Sequence, residues 1–328
     1  IGPVVGGILA DAGLWRWIFF LNIPLSLAVL ICLGLSGQGD RLPQKVNDRF
    51  DWAGMGFAAA GLGLVSAACL QISIETWQSV AWMLLLGFVM LVAFAWHEGR
   101  SKNPMLPMEL IRKTRVAAAC LIMMLIYAVF HAMLVFIPLR LIQIDQLSAL
   151  IAGVAQLPTL ACLILISPLA GAMFDRLGPG ITLSIGVLSG TAGFLLLAFL
   201  SGNASYWIRW FPGLTMLGIG LAFSITSLST LLMNAVNAEQ LGIASSLNSA
   251  VSRLASVIGI AVLCGIGFAL LGSEFDKDTE FFSSTEIRSS EYRQAFESMF
   301  VTMSYVSAVI TGSCLLIAGW FLRNANRD

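Results

Sequence analysis

Residues 1–24 of the chain read IGPVVGGILADAGLWRWIFFLNIP, and the first seven of them place three glycines and a proline in an apolar run. Gly2 and Gly6 are four residues apart, so they share one face of a helix, and Gly7 follows directly. Small residues let two helix backbones approach closely, whereas Pro3 removes a backbone donor and kinks a helix. The stretch predicts a bent, tightly packed helix that is followed by a second apolar helix.

The composition places this helix in a membrane. Of 328 residues, 58% are hydrophobic and only 11% are charged, whereas an ordinary soluble domain carries about 25% charged residues. The mean hydropathy is +0.88. Since a water-soluble fold of this size would lack a polar shell, a lipid bilayer is the expected solvent.

A helix needs about 20 apolar residues to cross a bilayer, and the sequence contains nine stretches of this kind. We predict complete spans at residues 17–35, 53–72, 79–96, 116–138, 150–173, 181–200, 208–233, 242–271 and 298–322. Residues 1–10 are too short to cross and are read as the second half of a further span. The sequence predicts an all-α membrane protein with nine complete helices plus one partial helix.

Lys and Arg predict the orientation, because cytoplasmic loops are enriched in them. With residues 36–52 and 97–115 inside, eleven of the eighteen basic residues lie inside, six lie outside, and Arg253 falls within a span. The acidic segment 273–297 then lies outside. By these boundaries no Asp or Glu lies inside a complete span.

Several function classes have no support in the sequence. The six cysteines fall in apolar spans without metal-ligand spacing, and no phosphate-binding loop or serine-centred elbow is present. We therefore expect neither an enzyme nor a bound cofactor or metal. The expected energy source is an ion gradient or a separate subunit.

Two quoted stretches also carry a family resemblance. GPVVGG at the end of a span, followed by WRWIFFLNIP, resembles the antiporter motif of the fifth helix and the start of the sixth in the major facilitator superfamily, within its fourteen-helix drug:proton antiporter branch (EmrB/QacA-like). NPMLPMELIRKTR, LSALIAGVAQLP and GAMFDRLGPG resemble later segments of that branch. The resemblance implies that the chain starts within the fifth helix.

It also implies three parts. Residues 1–35 end the N-terminal helical half, residues 36–114 hold cytoplasmic loops and two extra central helices, and residues 115–328 form the C-terminal six-helix half. In GAMFDRLGPG, Gly171, Asp175, Arg176 and Gly178 match the second copy of the family's cytoplasmic loop motif. Such a charge pair at a helix end either locks the end in one state of the transporter or only anchors a tight turn.

Five polar residues lie within predicted spans and are candidates for the substrate pathway, since such residues are expensive in lipid. His131 either holds a proton or forms a hydrogen bond between helices, and Tyr127 shares its face. Arg253 either reaches the cytoplasmic interface, pairs, or lines a wet cavity with Asn248. Gln156 could contact substrate.

The resemblance implies a secondary transporter that exports lipophilic small molecules in exchange for protons across the cytoplasmic membrane. Its partners would be the substrate, protons and the lipid bilayer, with a periplasmic adaptor and an outer-membrane channel if the host is Gram-negative, and no nucleic acid. A metabolite or siderophore permease and a non-transporting membrane subunit remain as alternatives.

Overall fold

The computed structural model describes residues 2–35, 51–71, 77–100, 114–200, 205–234, 236, 241–271 and 290–324. Every regular element in these ranges is an α-helix, as the hydropathy predicts. In chain order the helices are α1 (Gly2–Asp11), α2 (Trp17–Phe20), α3 (Asn22–Leu35), α4 (Trp52–Gln71), α5 (Trp77–Glu98), α6 (Thr114–Gln143), α7 (Ala149–Ala155), α8 (Leu157–Phe199), α9 (Tyr206–Arg209), α10 (Phe211–Asn234), α11 (Leu241–Leu271) and α12 (Ser290–Asn324).

Seven stretches of the described residues are long and apolar enough to cross a bilayer. The prediction of an all-α membrane protein is therefore confirmed. Most of the loops 36–52, 97–115 and 273–297, which carry the predicted orientation, lie outside the described residues. Residues 273–297 are predicted to lie on the outer side of the membrane. We use "outer end" for the end of a helix or contact that lies on that predicted side.

Helix α8 is a hairpin with two arms that meet at Gly178. Gly178 has a φ of +82°, a left-handed conformation that only glycine adopts readily. In the first arm, Thr159 donates to the carbonyl of Leu214 (2.9 Å) and Gly171 lies opposite Thr226, so this arm runs parallel to α10. The second arm runs antiparallel to α10 and corresponds to the span predicted at 181–200, whereas the span predicted at 150–173 is divided between residues 149–155, which form α7, and the first arm of α8.

Glycines bring the second arm of α8 onto the backbone of α10. A Cβ on Gly193 would lie 2.8 Å from the amide nitrogen of Leu217, and one on Gly220 would lie 2.6 Å from that of Gly190. Lipid tails are as apolar as the helix faces, so close packing of this kind, rather than hydrophobic burial, drives helices together in a membrane. Phe130 of α6 fills the remaining space, with its ring 4.9 Å from that of Phe194.

The pair of helices α4 and α5 is closed at one end by a histidine–carboxylate contact. The carboxylate of Asp51 accepts a hydrogen bond from the amide of Gly54 (2.8 Å) and lies 3.0 Å from Nε2 of His97. Midway along the pair, Gly61 packs against Leu91. The helices α6, α10, α11 and α12 and the two arms of α8 pack on one another as a six-helix bundle, which the pair reaches through contacts of α4 with α11.

One predicted boundary is wrong in a way that matters for the chemistry. Helix α12 begins at Ser290, eight residues before the predicted span at 298–322. Glu297, which the sequence placed in a loop, therefore lies on the helix and within a stretch apolar enough to cross the bilayer. The hydropathy of residues 290–297 is too low to reveal a helix that is stabilised by ion pairs.

Candidate functional site

Helix α1, which carries the antiporter-like motif, docks on the short helix α7. A Cβ on Gly7 would lie 2.6 Å from the carbonyl oxygen of Ala149 and 2.8 Å from the Cα of Leu150, and one on Gly153 would lie 2.9 Å from the carbonyl carbon of Pro3. Both glycines are buried. These backbone-to-backbone contacts leave no room for a side chain. We call this contact the seam.

Asp11 closes the seam at its outer end. Its two carboxylate oxygens accept hydrogen bonds from the amides of Ala149 (2.9 Å) and Leu150 (3.0 Å), and Ser148 Oγ accepts one from the amide of Ile151 (3.3 Å). The first amides of a helix have no partner within the helix, so a carboxylate from α1 satisfies two of them. Because Gly7 and Asp11 meet residues 149–150 while Pro3 meets Gly153, the two helices run antiparallel.

The hydrogen bonds of the seam affect the ionisation of Asp11. The hydrogen bond from the amide of Leu150 lowers the pKa of Asp11 below its usual value, and Ser148 and the amide of Ala149 add to this effect, while partial desolvation opposes it. A carboxyl with a lowered pKa stays ionised at neutral and mildly acidic pH. The closed seam therefore favours the ionised form of Asp11.

The seam uses a different face of α1 from the one that the sequence indicated. Gly2 and Gly6 were predicted to form the packing face, yet in the described part of the chain a Cβ on either would have no atom within 4 Å. Pro3 and Gly7, also four residues apart, make the close contact with α7 instead. Gly153, which sequence reasoning missed, supplies the opposing surface.

The loop-motif residues lie at the hairpin turn of α8. Asp175 and Arg176 occupy the last turn of the first arm, and both are exposed. Among the described residues no ion pair involves either side chain. A Cβ on Gly171 would lie 3.9 Å from Cγ2 of Thr226 in α10, and Gly178 forms the turn itself. The gating role of the charged pair stays a prediction.

Tyr127 and His131 are brought together on α6. Their rings meet edge to face with centroids 5.7 Å apart, and Tyr127 is buried whereas His131 is half-buried. Nδ1 of His131 lies 2.9 Å from the carbonyl oxygen of Tyr127. Because a carbonyl only accepts, Nδ1 carries the hydrogen. A neutral His131 therefore presents Nε2 as an acceptor.

The other three pathway candidates lie apart from this pair. Gln156 is buried at the break between α7 and α8. Asn248 and Arg253 lie on α11; Oδ1 of Asn248 is buried without a partner among the described residues, and Arg253 is exposed. Arg253 lies twelve residues into α11, so about 18 Å along it. No contact recorded among the described residues joins these three side chains to Tyr127 or His131.

Sequence reasoning missed four charged residues that form one cluster at the outer end. The guanidinium of Arg140 contacts Asp145 and Glu297, each at 2.7 Å, and that of Arg209 contacts Glu297 and, at 4.0 Å, Asp145. We call these four residues the outer ring. One feature of the sequence could have indicated the outer ring. Arg140 and Arg209 lie at the ends of predicted apolar spans, on the predicted outer side, where basic residues are disfavoured.

The comparisons with known proteins agree with this architecture. A model of the Major Facilitator Superfamily matches residues 1–260. The chain is 30% identical over 281 residues to "Multidrug resistance protein Stp" of Mycobacterium tuberculosis, covering 85% of this chain and 52% of that protein. It is 27% identical over 285 residues to the "Tetracenomycin C resistance and export protein" of Streptomyces glaucescens, covering 84% and 51%.

A solved structure of a bacterial homologue of the human lysosomal transporter Spinster aligns with a TM-score of 0.48 at 18% identity, covering 84% of this chain and 66% of that chain. The chain spans about half the length of the curated relatives it matches. The names of these relatives confirm the predicted resemblance to the drug-exporting branch of the superfamily. The family model matches residues 1–260, most of the chain, so this chain belongs to the major facilitator superfamily, and its apolar helices are those of a multi-pass membrane protein.

Proposed function

We propose that the complete protein is a multidrug/proton antiporter, which exports lipophilic compounds across the cytoplasmic membrane by alternating access. The proton gradient would supply the energy. The observation that carries this proposal is the seam, in which Pro3 and Gly7 of the antiporter-like motif meet the backbone of α7. The names of the two relatives, one a multidrug resistance protein and one an antibiotic export protein, support the direction of transport.

The seam supports alternating access for a physical reason. Alternating access needs one half of the transporter to rock against the other. Side chains that interlock would resist this movement, whereas Gly7 and Gly153 present bare backbone on both sides. The hydrogen bonds that two amides of α7 donate to Asp11 lie at the outer end of the seam, where they can form in one state and break in the other.

The energy source can be tested with the complete protein reconstituted alone into lipid vesicles. A gradient of one pH unit is worth about 1.4 kcal/mol per proton, enough for about a tenfold concentration of a neutral compound that exchanges for one proton. We expect lipophilic substrate to accumulate in acid-filled vesicles and the lumen to lose acid as it enters. A protonophore should abolish both signals.

The same vesicles separate the alternatives. Substrate accumulation without proton release would exclude antiport with protons. A requirement for an added nucleotide-hydrolysing partner would indicate a membrane subunit. Selective transport of a polar metabolite or a siderophore, without transport of lipophilic cations or neutral dyes, would indicate a permease. Vesicles that lack the protein provide the control for passive leakage.

A further inference from the structure

The outer ring is a closed square of alternating charges. In space the order is Asp145, Arg140, Glu297, Arg209 and back to Asp145, so each carboxylate contacts both guanidinium groups. Both guanidinium groups lie over the ring of Trp210, with 4.9 Å from Arg140 Cζ and 5.5 Å from Arg209 Cζ to its centroid. The formal charges of the four residues cancel.

The two arginine side chains of the outer ring are largely shielded from solvent, so the balance of charges around them is important. The side chain of Arg140 is only 1% exposed and that of Arg209 is 10% exposed. An unpaired charge at such a depth is costly, whereas a complete set of partners offsets the lost hydration. Removing one carboxylate of the ring therefore leaves two largely buried guanidinium groups with only one carboxylate between them.

The ring joins the ends of three helices to the segment that leads into α7. Arg140 lies near the end of α6, Arg209 ends α9, and Glu297 lies in the second turn of α12. Asp145 precedes α7 by four residues. At the other end of α7, the hydroxyl of Tyr206 donates to the carbonyl of Ala155 (2.8 Å), so α9 holds α7 from that side as well.

Helix α7 depends on such external contacts for its position. It has only seven residues before the break at Gln156, where the chain continues into α8, and so short a segment gains most of its stability from tertiary packing. On one side, Ala152 and Ala155 pack into the apolar core of the bundle. On the other side, Gly153 faces α1 across the seam. Whatever holds α7 to the bundle therefore also holds the surface on which α1 docks.

We propose that the outer ring anchors α7 to the six-helix bundle, and that Arg140, Arg209 and Glu297 act through Asp145 as positioning residues for the movement of α1 across the seam. The consequence for transport rests on the proposed function, whereas the anchoring itself does not. When the ring is intact, α7 moves with the bundle and the two halves separate only along the seam. When the ring is unbalanced, α7 loosens from the bundle as well.

The closed square makes a prediction that differs from that of a simple ion pair. Neutralising Glu297 alone leaves two guanidinium groups to share Asp145. Neutralising Arg209 together with Glu297 leaves the Arg140–Asp145 pair, which is balanced. Exchanging the two charges, as Arg209→Glu with Glu297→Arg, restores an isolated pair but places like charges next to both Arg140 and Asp145.

The test uses the complete protein without native cysteines and with Ala152→Cys, a position that is 1% exposed in the bundle core. The readouts are the labelling rate with a membrane-impermeant maleimide from outside, the maximal transport rate and the half-saturating substrate concentration. Glu297→Gln should raise labelling and lower the maximal rate by about 5- to 150-fold, with half-saturation changed by less than about twofold. Arg293→Gln, an exposed charge one turn away, is the matched control.

The double variants decide between a ring and a pair. Arg209→Gln with Glu297→Gln should return labelling and rate close to those of the parent, while the exchanged variant stays impaired. Rescue by the exchanged variant, or parental labelling in every variant, would overturn the proposal. If Glu297→Gln does not accumulate in the membrane, the neutral double variant must still accumulate and label slowly, and its failure also overturns the proposal. A parent that labels as expected but transports nothing refutes the proposed function alone.

Discussion

Replacing Gly7 by alanine should open the seam, because the added methyl group has no space in the closed arrangement. Its Cβ would lie 2.6 Å from the carbonyl oxygen of Ala149 and 2.8 Å from the Cα of Leu150. Both neighbours are backbone atoms that cannot rotate away. To reach the 3.4 Å of ordinary van der Waals contact, α1 and α7 must separate by about 0.8 Å.

The expected cost can be set against the gain that alanine brings to a helix. Overpacking of a tight contact costs about 1–3 kcal/mol, whereas Gly→Ala in a helix interior gains up to about 1 kcal/mol. Gly63→Ala in α4 is the matched control, because a Cβ there meets no atom within 4 Å in the described structure. Both variants gain the higher helix propensity of alanine, but only Gly7→Ala introduces a steric clash.

Two measurements on the complete protein check this reasoning. In thermal unfolding, Gly7→Ala should melt below the parent and Gly63→Ala at or above it. If the clash exists only while the seam is closed, the balance between closed and open seam should shift by about 5- to 150-fold, which the labelling rate of a cysteine at position 4 from outside would report. Equal melting and equal labelling in both variants would refute the assignment of the Pro3–Gly7 face to the seam.

Three further predictions concern the remaining sites. Asp175→Asn or Arg176→Ala should lower the maximal transport rate by about fivefold or more with little change in substrate affinity, since the pair lies at a helix end away from the midplane. Unchanged transport in both variants would mean that the pair only anchors the turn. His131→Gln keeps an acceptor but cannot be protonated near neutral pH, so drug-induced proton release from vesicles should persist, and its loss in a folded, substrate-binding variant would move the proton site to α6. A cysteine at position 280 should react with an impermeant reagent only from outside, and labelling only from the cytoplasm contradicts the predicted orientation of residues 273–297.

Local sequence determined where the chain crosses the membrane. Hydropathy is averaged over about 20 consecutive residues. It therefore indicates which segments lie within the bilayer without any knowledge of the helices that pack against them. The hairpin of α8 was also readable, because Gly178 followed by Pro179 breaks the apolar run locally. The family resemblance came from the same short, contiguous motifs.

The rotation of each helix and its choice of neighbour were decided only by the tertiary structure. Since lipid is as apolar as the helix faces, composition gives little indication of which face of α1 meets protein, and the seam formed on Pro3 and Gly7 although Gly2 and Gly6 were predicted. The outer ring shows the same limit over a longer distance. Arg140 and Glu297 are 157 residues apart, and their spacing in sequence carries no sign that they meet. Only the packing of α6, α9 and α12 brings these charges close enough to neutralise one another out of water.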